Sequence, residues 1–152
     1  MGTNFFLATT DKDARDEYFG YDYELTDNPI FAWQIHICKT SAGWLPSFQA
    51  HNCFKSIKQL KELYDTGNFH IFDEYGDEYN WEEFNERVLK FNGGVKGAIP
   101  RKEIKQDPHD KFYDPYSPGH VPISHFEYGG GRYASDYFTD EDGYEFTNHW
   151  FN

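Results

Sequence analysis

His36 and Cys38 stand two apart in the run His36-Ile37-Cys38-Lys39-Thr40-Ser41-Ala42-Gly43-Trp44, where the chain's chemistry-bearing side chains are most closely spaced. An imidazole there could act as a base, a metal ligand or a ligand contact. A Cys–His nucleophile pair is one reading, but residues two apart on a strand are neighbours by default. Structure alone would equally use His36 as a hydrogen-bonded histidine. Lys39 beside the Ser41-Ala42-Gly43 turn could cradle an anion on backbone N–H groups, with Trp44 as a stacking surface. It is no P-loop, since G-x-x-x-x-G-K-[ST] is absent, and a tight turn explains the same residues.

Acidic residues cluster at 11–27, 73–86 and 136–145. Asp73, Glu74, Asp77 and Glu78 could bind a cation, yet they read more simply as a hairpin turn with an acidic face. Asp140, Asp142, Gly143 and Glu145 resemble a calcium loop, but Phe138 stands at its first ligand position and His149 at its twelfth. His109, His120, His125 and His149 fit no zinc spacing. Neither a metal, a cofactor nor a catalytic set is expected. Tyrosines accompany the acids, among them Tyr18, Tyr21, Tyr23, Tyr75, Tyr79, Tyr137 and Tyr144. If the three segments lie side by side they make a negative, tyrosine-studded face. Tyrosine is a low-entropy contact residue and acid charge steers a basic partner. Tyr21, Tyr23, Asp73, Glu74, Tyr75, Asp140 and Asp142 are therefore candidate binding residues, beside His36, Lys39, Ser41 and Trp44.

These residues need elements to hold them. GTNFFLATT has the composition of a strand, and residues 11–28 read as an acidic, Tyr-rich surface loop or a partly ordered excursion. Trp33, Ile35 and Ile37 alternate with Gln34, His36 and Cys38, the period of a half-buried strand. On that alternation His36, Cys38 and Thr40 share the polar side. Trp44 to Ala50 returns as its hairpin partner, with Pro46 implying a free edge or a bulge. Ser56 with Gln59 caps a helix whose apolar stripe is Ile57, Leu60 and Tyr64, ended by Gly67. FHIFDE is the next strand. Asn80 with Glu83 then caps a second helix, with Trp81, Phe84, Val88 and Phe91 as its stripe and Gly93-Gly94 as its stop. Residues 94–122 hold five of the seven prolines and the only basic tract, a long Pro/Lys-rich loop. SHFEYGG, RYASDYF and YEFTNHWF follow as a terminal meander. The fold class is α+β: one domain over residues 1–152, an antiparallel sheet, two main helices, and the Pro-rich loop leading to the C-terminal β-meander.

The chain of 152 residues can bury roughly two-thirds of its unfolded surface. With 15 Phe and 12 Tyr, rings are expected to fill the core. No apolar run approaches the length of a membrane span, and no secretory signal is recognisable, so a soluble cytoplasmic protein is expected. Cys38 and Cys53 then read as thiols, although a bridge across the hairpin is the alternative. A net charge of −12 excludes a general nucleic-acid binder and permits a partner with a basic surface.

Three pieces recur in order: MGTNFFL, then His36 to Trp44, then Asp73-Glu74-Tyr75-Gly76. Together they resemble a family of small proteins encoded by bacteriophages and prophages, over roughly the first 92 residues. Members of that family place Cys-x-x-Cys before the His-Ile strand, a spacing suited to zinc; this chain has no cysteine before Cys38. The resemblance implies a phage accessory protein acting in the host bacterial cytoplasm. Joined to the acidic Tyr-rich surface, it leads to the expectation of a binder that inhibits a host protein with a basic surface. Two other classes stay open. One is a small-ligand binder sequestering a nucleotide signal with Lys39, Ser41, Trp44 and the basic tract. The other is a small hydrolase with His36 as base and Asp73 or Glu74 as its partner.

Overall fold

The computed structural model describes residues 2–25, 33–41, 44–98, 124 and 136–148. At its centre lies β1 (Gly2–Thr9), hydrogen-bonded on one side to β3 (Trp33–Ser41) and on the other to β5 (His70–Asp73), both antiparallel. β6 (Glu78–Tyr79) closes one edge. Beyond β3 come β4 (Ser47–Gln49), β8 (Glu145–Thr147) and β7 (Tyr137–Thr139), while the two-residue β2 (Glu24–Leu25) pairs with the start of β3. The described architecture is α+β, with every strand in one sheet.

The helices form where their caps lie. The Ser56 hydroxyl accepts from the Gln59 N–H at 3.0 Å and opens α2 (Ile57–Tyr64). In a full capping box, Asn80 accepts from the Glu83 N–H at 2.8 Å while Glu83 accepts from the Asn80 N–H at 3.1 Å, opening α3 (Trp81–Arg87). Ile57, Leu60 and Leu63 of α2, with Phe84, Val88 and Leu89 at α3, pack onto Phe5, Leu7, Ile35 and Ile37 in one cluster. Leu63 is buried, whereas Tyr64, counted into the stripe on sequence, is half-buried against Trp81. Phe91, assigned to the α3 stripe, is 47 % exposed. The α-helix stops at Arg87 and a 3₁₀ turn (Leu89–Asn92) tightens the chain, so Leu89 takes the buried place. Gly93 ends the turn at φ 87°, and a Cβ there would meet the Gly97 carbonyl. The core is ringed as composition implied: Phe5, Phe48, Phe54, Phe84, Tyr144 and Phe146 are all fully buried.

One expectation gains detail and three need correction. Of residues 11–28, the described part, 11–25, carries more order than a loop: Asp11 caps a short helix α1 (Lys12–Ala14) that runs into a π turn (Arg15–Phe19). Phe19 anchors it by burying its ring against Phe69, 5.5 Å away. His36 and Cys38 do not share a side. Phe5 faces Cys38 and Phe6 faces His36, so Ile37 is the extra residue of a β-bulge. The bulge turns Ile37 and Cys38 both into the core while His36 stays half-buried, stacked on Phe6 at 5.0 Å.

Pro46 marks no free edge, because it precedes β4, and β4 lies between β3 and β8. The sheet is not wholly antiparallel either. β7 and β8 form a hairpin, but β8 runs parallel to β4, which makes the sheet mixed. Parallel pairing needs a long connection, and the chain between Gln49 and Glu145 supplies it. The strand expected at SHFEYGG and most of the Pro/Lys-rich stretch lie outside the described residues.

Candidate functional site

β1 occupies one edge of β3 along its whole length, so β2 and β4 must share the other. β2 pairs with Trp33 and Gln34, β4 with Cys38 and Lys39. Between them the edge of β3 from Ile35 to Ile37 has no strand partner among the described residues, and the sheet splits. His51, just past β4, turns its ring into the split, and its Nε2–H donates to the His36 carbonyl at 2.7 Å. His36 itself donates from Nε2 to the Cys38 carbonyl at 3.1 Å. Carbonyl oxygens only accept, so both rings carry their proton on Nε2 when neutral.

A pocket of about 340 Å³ opens at this split, walled by Glu17, Tyr18, Tyr21, Asp22, His51 and Cys53 over a floor of Phe19 and Ile35. A second space of about 230 Å³ adjoins it through Asp22, Ile35 and His51, and adds Tyr23, Glu24, Gln34 and His36. The loop reaches the split because Gly20, at φ 60°, reverses the chain after the π turn and the Asp22 N–H returns to the Phe19 carbonyl at 3.0 Å. Tyr23 is fixed from behind. The Arg15 guanidinium lies 4.4 Å over the Trp33 ring and 5.3 Å over that of Tyr23, with Asp16 paired to it at 2.6 Å.

The charge of the split is negative. Glu17, Asp22 and Glu24 supply carboxylates, and no Lys or Arg is among the described residues of its walls. None of the three makes a side-chain hydrogen bond or ion pair among the described residues. The histidines add no positive charge at neutral pH. Burial lowers the His36 pKa to about 4, outweighing the Cys38 carbonyl that raises it. Burial likewise lowers that of His51, against the His36 carbonyl and Asp22. Burial pushes the Cys53 thiol up to about 11 and holds the Cys38 thiol well above its ordinary value, so both free cysteines stay protonated and neither is an activated nucleophile. Among the described residues no group of three His, Cys, Asp or Glu side chains is placed to hold a metal ion.

The structure gathers only some of the residues singled out on sequence. His36, Tyr21 and Tyr23 come to the split. Lys39, Ser41 and Trp44 lie towards the other end of β3, where the Trp44 N–H bonds the Ser41 carbonyl at 3.0 Å; Ala42 and Gly43 lie outside the described residues. Asp73 is buried and fully engaged, with Oδ1 accepting from the N–H groups of Tyr75 and Asp77, and Oδ2 from the Tyr79 hydroxyl. It serves its turn and is not a proton partner for His36. Glu74 accepts from the Asn4 N–H at 2.9 Å, and Tyr75 stands exposed at the tip of that turn.

Asp140 is also structural: Oδ1 accepts from Asp142 and Tyr144, and Oδ2 from the Ile57 N–H at the start of α2. Asp142 sits in the same turn, half-buried. The three acidic segments therefore do not form one face. Residues 11–25 follow the end of β1, Glu74 bonds near its start, and Asp140 lies across the sheet beyond β4. Strand direction and strand order separate them, and neither is visible in charge spacing.

Comparison with known proteins finds no matching family model, no matching curated protein and no matching solved structure. The site therefore rests on its own geometry. His51, Asp22 and Cys53 had not been assigned to it from sequence. A faint signal existed, since His36 and His51 bracket the hairpin and Asp22 stands between Tyr21 and Tyr23.

Proposed function

We propose that this chain is a binding protein rather than an enzyme, a phage-type accessory factor that blocks a host bacterial protein through a basic patch on that partner. The observation that carries this reading is the split beside β3, where three carboxylates and three tyrosines line two adjoining spaces with no Lys or Arg among their described walls. The full chain's charge of −12 adds long-range attraction for such a partner. Neutral imidazoles and protonated thiols offer no activated nucleophile there, and the carboxylates disfavour an anionic nucleotide at the same place.

Affinity capture from bacterial lysate tests the reading. The wild-type chain should retain a partner in about 50 mM salt and release it in about 500 mM, because the Debye length shrinks from roughly 14 to 4 Å. A Glu17→Gln, Asp22→Asn, Glu24→Gln variant should capture far less. Capture that ignores salt, or turnover of a substrate by the purified protein, would overturn it.

A further inference from the structure

We propose that the split beside His51 is a receptor for the side chain of a single arginine, presented by the partner. This deepens the reading above and rests on it for the partner's existence. Three features of the cavity match the three parts of that side chain. Phe19 and Ile35, both buried, form an apolar floor against which the methylene stem can lie. Tyr18 and Tyr21 supply rings on which a planar guanidinium can stack, while Tyr23 is held by Arg15 at the rim. Glu17, Asp22 and Glu24 supply carboxylates that accept its fork of N–H donors.

The size agrees: the two adjoining spaces, of about 340 and 230 Å³, lie around the lower end of the roughly 300–1,000 Å³ found for small-ligand clefts, right for one side chain and not for a helix. The molecule already contains the same chemistry next door, where the Arg15 guanidinium lies on Trp33 and on the pocket-lining Tyr23. Tyr21 is 99 % exposed at the mouth and Leu25 is 76 % exposed beyond it, giving the residues flanking the arginine an apolar landing. His36 and His51 stay neutral at pH 7 and so set no positive charge against the incoming cation. Lysine has the charge but not the plane, so it should bind more weakly.

The test is an NMR titration of the full chain at pH 7 with N-acetylarginine amide, N-acetyllysine amide and N-acetylcitrulline amide. Citrulline keeps arginine's shape and loses its charge. Arginine amide should give a saturable shift of the His51 and tyrosine ring signals, lysine amide a weaker one, and citrulline amide at least about tenfold weaker binding. An Asp22→Asn, Glu24→Gln variant should lose affinity for arginine by about tenfold and melt within about 2 °C of wild type. Citrulline binding as tightly as arginine would overturn the proposal, and that comparison requires no variant. Undiminished arginine binding by the folded double variant would overturn it too. The two ideas fail separately: a partner captured equally by the double variant sinks the receptor, whereas arginine binding without any captured partner sinks the blocking function.

Discussion

The turns around Asp73 and Asp140 and the loop from Glu17 to Glu24 are all acidic and do opposite work. In the turns, each aspartate accepts from three donors, and the Asp140 carboxylate links residues 83 apart by reaching the Ile57 N–H. In the loop, the carboxylates of Glu17, Asp22 and Glu24 face the split and make no hydrogen bond or ion pair among the described residues. Backbone N–H groups arranged around a carboxylate make it part of the fold, while a carboxylate without them keeps its acceptors for a partner. Acidic residues are thus divided by local backbone geometry, not by their density along the chain.

Asp140→Ala should strike hardest. It strips three N–H groups of their charged acceptor and uncouples the β7–β8 turn from α2, at a cost of about 3 kcal/mol, or a thermal midpoint roughly 6–12 °C lower. Asp73→Ala should cost somewhat less, about 2 kcal/mol, because its donors all come from one local turn. Calorimetry checks both; a loss under 0.5 kcal/mol (about the scatter of surface changes) would erase the distinction drawn here.

A smaller effect should come from acid. His36 has a folded pKa near 4 against 6.5 for a free histidine, so between those values the unfolded chain binds more protons. Stability is then intact above pH 6.5 and declines as pH falls towards 4. After discounting for its partial exposure, the contribution of His36 is on the order of 1 kcal/mol. His36→Gln should flatten the melting temperature's dependence on pH across that window, and an unchanged slope would show that His36 is not desolvated in solution.

Least of all should happen to stability when Asp22→Asn and Glu24→Gln are combined, within about 0.5 kcal/mol of wild type. Urea unfolding measures it. A large loss would place these carboxylates with Asp73 and Asp140 as parts of the fold.

The helices were legible in the sequence because a cap is a local event. Ser56 with Gln59 and Asn80 with Glu83 need only their own next three residues. The stripes were nearly as plain, and failed at Phe91 because a 3₁₀ turn changes the periodicity by which residues are counted. The alternation of Trp33 to Ile37 placed β3 but not the bulge at Ile37, since a bulge is a relation between two strands. At the site, His36, Tyr21 and Tyr23 were singled out by type, whereas His51 was not. Its role depends on β2 and β4 pairing only with the two ends of that edge of β3 among the described residues, which no spacing records.

From residue order alone came the two caps, the aromatic core, the central strands and the acid charge, all set by interactions within a few positions or by composition. The tertiary structure decided how the strands are ordered, where the sheet divides, and which carboxylates are consumed by backbone amides. Those choices belong to contacts between distant segments, such as Asp140 with Ile57 and His51 with His36, whose partners meet only once the core has closed.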